Sequence, residues 1–141
     1  MDALLLTHVA LTWAMVGFAW TIQLVQYPMM ALVPPEAFPA FESVHQRRVV
    51  RVLAVFGVAE VVTAGWLFLA PGTLPRAALL VAGMVLAVIW IATGAYFAPL
   101  HGRLALGFDA ALHKRLVITN WIRTVLWTLR GVMVLALLVA R

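Results

Sequence analysis

The sequence predicts an all-α integral membrane protein, a four-helix bundle of up-down-up-down topology. Three observations predict it. Of 141 residues, 65% are apolar and only 11% charged, more apolar surface than a soluble domain of this length can hide. The apolar residues collect in four runs, near residues 3–27, 40–70, 76–97 and 110–140, each able to cross a hydrocarbon layer of about 30 Å. Between the runs lie proline and glycine clusters that read as connections, so the whole chain forms one transmembrane domain.

Composition also narrows the chemistry. There is no cysteine, which excludes disulfides and thiol catalysis. The net charge of +5 sits at the ends of the apolar runs and on no soluble element, so nucleic acid is not an expected partner; the lipid bilayer is. The first run lacks a basic leader and exceeds the length of a signal core, and so reads as a retained span.

The first span, from about Ala3 to Tyr27, ends at Pro28 in this reading. His8, Thr12, Gln23 and Gln26 share one face of it, with Ala19 between. The two glutamines either bond a neighbouring helix or the interface, or line a pocket shared with the last span. Trp13 and Trp20 serve as packing residues or interface anchors. Pro28, Pro34, Pro35 and Pro39 deny the connection a regular helix, and the chain re-enters one at about Pro39 or Ala40, where proline is tolerated in the first turn.

The second span begins outside the hydrocarbon. Arg47, Arg48 and Arg51 belong at headgroup level, setting topology or meeting anionic lipid. Glu60 is different: it lies about 13 Å farther along the helix than Arg51, among apolar residues. An unpaired carboxylate there is expensive. His45, Glu60 and Thr63 fall on one side of this helix. The third span is the most lipid-like, with Gly83 and Gly94 permitting close packing and Tyr96 near its end. A loop broken by Pro99 and two glycines follows, carrying His101 and Arg103, and Asp109 is placed to cap the fourth helix.

That fourth helix organises the rest. His113, Leu116, Asn120, Arg123, Trp127 and Arg130 recur by threes and fours on one face, while the opposite face, including Val117, Thr124 and Leu135, is apolar or nearly so. A charge at the bilayer centre costs at least ~2.5–3.5 kcal/mol, so the stripe must face protein or trapped water. The other helices enclose it. Glu60 precedes Ala70, and Arg130 precedes Ala140, by the same number of residues, which puts both about 15 Å from their outer ends. An ion pair between them neutralises both charges; its simplest reading is that it only holds helices together. Arg123 sits two turns away, level with Gln23, Gln26 and Tyr96, with no acidic mate. It is a candidate clamp for an anion or carbonyl, or else a structural arginine bonded to backbone carbonyls.

Positive charge is uneven. Arg47, Arg48, Arg51, Arg103, Lys114 and Arg115 lie on one side, against Arg76 and Arg141 on the other. The positive-inside rule puts the basic connections in the cytoplasm and both termini outside. His45, His101 and His113 end at the basic face. Converging with Glu42 they could hold zinc or iron, but their spacing matches no recognised metal pattern, and neither metal nor cofactor is assigned. For haem, His8 is the best-placed axial ligand. No nucleophile stands beside a base, and no phosphate-binding loop is present.

The segments WTIQLVQYP, FPAFESVHQRR, PLHGRLALGFD and NWIRTVLWTLRG together resemble a group of small bacterial four-span membrane proteins of unknown function. More distantly they are similar to the anthrone-oxygenase-like (noranthrone monooxygenase-type) membrane family. The resemblance covers most of the chain, and the last block is its most specific part. It implies a bacterial inner membrane and an aromatic, lipophilic substrate oxygenated without evident metal or flavin. Asn120, Arg123 and the nearby tryptophans match with the family; no residue matches as a catalytic base.

Two readings from different classes follow, with a third behind them. In the first, His113, Asn120, Arg123 and Trp127 orient or transform a lipophilic aromatic molecule near the cytoplasmic leaflet. Gln23, Gln26, Tyr27, His45, Arg48, Tyr96 and His101 complete that pocket, and Glu60–Arg130 is a structural ion pair. A cofactor-independent oxygenase would let a substrate enolate reduce oxygen while Arg123 stabilises the anion. In the second, the polar residues only bind the helices to one another, to further copies of the chain or to a membrane partner. The third is a haem- or metal-binding redox protein.

Overall fold

The computed structural model describes residues 2–140. Among the described residues, four helices are long and apolar enough to cross a membrane: α1 (Ala3–Met30), α2 (Phe38–Leu69), α3 (Arg76–Leu104) and α4 (Ala110–Val139). They run up, down, up and down, as the apolar runs predict. Each packs against its neighbours in the chain, and α4 closes the ring on α1. α2 and α4 therefore face each other across the diagonal of the bundle.

Two helix ends differ from the sequence expectation. α1 does not stop at Pro28 but continues to Met30, and α3 runs through Pro99 to Leu104. Proline lacks the N–H that would close the turn before it. Here each proline is preceded by a wider π turn, at Ile22–Gln26 and Thr93–Phe97. Tyr27 N–H bonds the Ile22 carbonyl and Ala98 N–H the Thr93 carbonyl, five residues back in each case. Absorbing one extra residue keeps the helix going where an α-helix would break or kink. α2 carries a third π turn, Leu53–Gly57, without a proline. There Trp90 of α3 lies over Gly57 so closely that a Cβ would come within 2.4 Å of its ring.

The connections follow their local chemistry. Pro39 sits in the first turn of α2. Gly72 adopts a positive φ of 57° between α2 and α3, a conformation that glycine takes without strain. Asp109 caps α4, its carboxylate accepting from Leu112 N–H at 2.9 Å.

Inside, apolar and polar layers alternate along the bundle axis. At the end that carries the termini, Leu5, Leu67, Leu79 and Leu137 cluster. A middle layer holds Met15, Val16, Ala19, Ile89 and Trp127. At the basic end Tyr27, Met30, Phe38, Phe97, Leu104 and Leu116 form the largest cluster. Between these layers lie the buried polar groups, Arg130 with Glu60 in one gap and Arg123 with Asn120 in the other. The outer surface is apolar too: Val61 and Trp66, Val88 and Ile91, Ile122 and Val132 are all exposed. A surface of that kind is solvated by lipid.

Two packing expectations fail. Gly83 and Gly94 face open space, and the close approaches are at Gly57 and at Gly131, beside Val16 and Trp13. Thr124 is fully buried, not on the outward face. α4 is gripped from both sides by α1 and α3, so its buried sector is wider than the single stripe.

Candidate functional site

Arg130 is wholly buried, and its guanidinium is held by all four helices. Nε donates to the Ala82 carbonyl of α3 at 3.2 Å. Nη1 donates to Thr12 Oγ1 of α1 at 2.8 Å and to Glu60 Oε1 of α2. Nη2 donates to His8 Nε2 of α1 at 2.9 Å. That bond requires an unprotonated Nε2, so the His8 proton is assigned to Nδ1, which donates to Thr63 Oγ1 at 2.7 Å. Thr63 in turn donates to the Ala59 carbonyl at 2.9 Å. Trp127 Nε1 reaches the second oxygen of Glu60 at 3.4 Å. The charge is thus paired and each guanidinium nitrogen donates to a protein partner, which is what a buried ion pair requires. Both His8 nitrogens are engaged in hydrogen bonds.

Arg123 is also buried, at 6% exposure, and its surroundings are the opposite. Its guanidinium lies 4.6 Å from the centre of the Phe97 ring and 5.6 Å from that of Trp127. Among the described residues no carboxylate pairs with it, and its Nε has no hydrogen-bond partner. The backbone carbonyls that would make it a structural arginine do not reach that nitrogen. Instead Arg123 borders a cavity of about 220 Å³. Every π turn contributes to the wall: Ile22 from the first, Leu53 from the second, Thr93, Gly94 and Phe97 from the third. Trp90 is also on the wall, and its Nε1 is likewise buried without a partner. Two residues with an unanswered donor therefore border one largely apolar cavity.

The cavity's other polar groups come from its basic end. Tyr27, His45, Gln46 and His101 line it. Tyr27 Oη lies 2.9 Å from His101 Nε2. His101 Nδ1 lies 2.6 Å from Oε1 of the fully buried Glu42. Gln46 Nε2 donates to the same oxygen at 3.2 Å and to the His101 carbonyl at 3.1 Å. The His45 ring stands 5.6 Å from that of His101.

The stripe on α4 is therefore divided in its roles. Of its polar members only Arg123 lines the cavity. His113 Nε2 donates to the Tyr27 carbonyl at 2.8 Å, tying the start of α4 to the end of α1. Asn120 Nδ2 donates to Gln23 Oε1 at 2.8 Å, and Gln23 Nε2 to the Val117 carbonyl at 3.1 Å, so Gln23 clasps α4 and does not face Arg123. Trp127 serves Glu60. Gln26 and the exposed Arg48 border an adjoining groove between α1 and α2, which shares Phe18, Ile22, His45 and Val49 with the cavity. Tyr96 accepts from Arg115 Nε at 2.8 Å, outside the cavity. The three histidines do not converge, because His113 is drawn to the α1 carbonyl. Among the described residues no group of three or more His, Asp or Glu is arranged to hold a metal ion.

Sequence reasoning overlooked Gln46, Trp90 and Phe97, and considered Glu42 only as a metal ligand. A signal existed for two of them. Glu42 and Gln46 are one helical turn apart and bracket His45, a polar ridge on an otherwise apolar bundle.

Fold and interior together define a multi-pass, all-α membrane protein with two buried polar layers, one saturated and one open. Compared with protein-family models, with curated proteins and with solved structures, the chain matches none.

Proposed function

We propose that the Arg123 cavity binds a lipophilic small molecule through a carbonyl or anionic oxygen. The observation that carries this is a buried guanidinium bordering an apolar cavity with an unanswered N–H. Buried donors without partners are rare in folded proteins and call for an occupant. The exposed Val50, Gly94 and Ala98 on the cavity rim support access from the bilayer between α2 and α3. Size narrows the ligand. A dry apolar cavity of about 150 Å³ admits benzene, so one of about 220 Å³ suits a single substituted ring better than three fused ones. The positive-inside rule assigns this end of the bundle to the cytoplasmic leaflet, and the resemblance to bacterial four-span proteins supports an inner membrane.

Arg123→Leu tests the site. Small molecules extracted from the purified protein in mild detergent should include one that wild type retains at least about tenfold better than the variant. The variant should melt no lower than wild type, since it removes a buried charge that has no partner. Equal retention, or a loss of several kcal/mol in stability, would make Arg123 a structural residue. Oxygenase-like turnover is the finer proposal, motivated by the anthrone-oxygenase resemblance. Proteoliposomes given a lipophilic phenol should then consume oxygen, and those carrying Arg123→Leu should not; no uptake by wild type removes that step. The Arg130 layer fits the structural reading instead, because each of its nitrogens already has a protein partner.

A further inference from the structure

We infer that Tyr27, His101 and Glu42 form a proton relay that takes a proton from a lipophilic phenol or enol bound beneath Arg123. This rests on the cavity being a ligand site. It supplies the base that the resemblance to known proteins left unmatched.

The geometry is that of a hydroxyl, an imidazole and a carboxylate in series. A carboxylate at Glu42 accepts from His101 Nδ1–H at 2.6 Å, which leaves Nε2 as an acceptor. Tyr27 O–H donates to it at 2.9 Å. The lone pairs of Tyr27 Oη are then free to accept, and Tyr27 and His101 border the same cavity as Arg123. The third group orients the base, as in hydrolase triads, but the terminal hydroxyl belongs to a tyrosine. A tyrosine at that position passes a proton on rather than attacking a carbonyl.

The step balances. The ligand O–H bond breaks and its proton goes to Tyr27 Oη, while the Tyr27 proton goes to His101 Nε2. Neutral ligand and neutral imidazole become a phenolate or enolate and an imidazolium. The imidazolium is held by Glu42 and the oxyanion by Arg123. Gln46 fixes the relay by bonding both Glu42 and the His101 carbonyl. The other titratable ring at hand, His45, lies 5.6 Å from His101 and 6.5 Å from Tyr27, with no hydrogen bond to either. The Glu42 carboxylate stays bonded to His101 Nδ1 throughout, so the imidazolium forms beside an anion.

The test uses 4-nitrophenol, a single ring whose phenolate is coloured, with the full chain in detergent. Dialysis measures bound dye, and absorbance measures its ionised share about one unit below the pKa of the free dye. Wild type should bind it as phenolate. Tyr27→Phe and Glu42→Gln should bind comparable amounts with about tenfold less phenolate. Nitrogen NMR should show His101 Nε2 gaining a proton on dye binding in wild type and not in Tyr27→Phe. If either variant fails to fold, His101→Gln replaces it. Equal phenolate in all variants, or dye bound to wild type as the neutral phenol, overturns the relay and leaves the cavity standing. No bound dye in wild type overturns both.

Discussion

At the scale of single residues, Arg123 and Arg130 share a helix face and a hydrophobic setting and differ in what surrounds them. Arg130 is bonded from α1, α2 and α3; Arg123 has aromatic rings and a void. Glu60→Gln should therefore destabilise the protein by ~3–5 kcal/mol, because it strands a buried cation, as thermal unfolding in detergent would show. Adding Arg130→Gln should recover part of that loss, because the two residues act as one unit. The pairing was legible from the chain alone: one intramembrane carboxylate and one arginine at equal depth leave little choice. His8 as a further partner of Arg130 was not legible, since nothing in local spacing says which of four helices a polar ridge on α1 will face. Nor was the split of the α4 stripe, in which His113 and Asn120 became clasps because Tyr27 and Gln23 arrived opposite them.

Helices are where the sequence reading erred most, and the error has one cause. Local propensity makes Pro28 and Pro99 terminators, whereas each follows a π turn that lets its helix continue. A wide turn depends on what the neighbouring helices can accommodate, so it leaves no periodic trace to find. Its consequence is functional: Tyr27 and His101 stand at the ends that these turns prolong. Pro99→Ala restores an N–H and lets α3 relax to a regular α-helix, which turns His101 away from Tyr27. Ligand retention should fall to the level of Arg123→Leu while the melting temperature holds or rises. Retention unchanged from wild type would mean that the proline has no part in shaping the cavity.

For the whole molecule, the four-span bundle was fully legible, because hydropathy and length decide it when every backbone group must be satisfied within lipid. Orientation rests on the charge imbalance between the ends. Since the chain has no cysteine, single replacements report on it cleanly. Arg103→Cys should react with an impermeant maleimide only from the cytoplasmic side, and Thr73→Cys only from the opposite side. The reverse pattern would invert the topology and place the Arg123 cavity in the other leaflet.

The diagonal bond between α2 and α4 also has a bearing on biosynthesis. Glu60 is made 70 residues ahead of Arg130, which at typical elongation speeds is a delay of roughly 4–14 s. For that interval the nascent hairpin holds an acid whose counter-ion is still being translated. The final segment does more than complete the ring: its arrival discharges a debt left in the bilayer by the second.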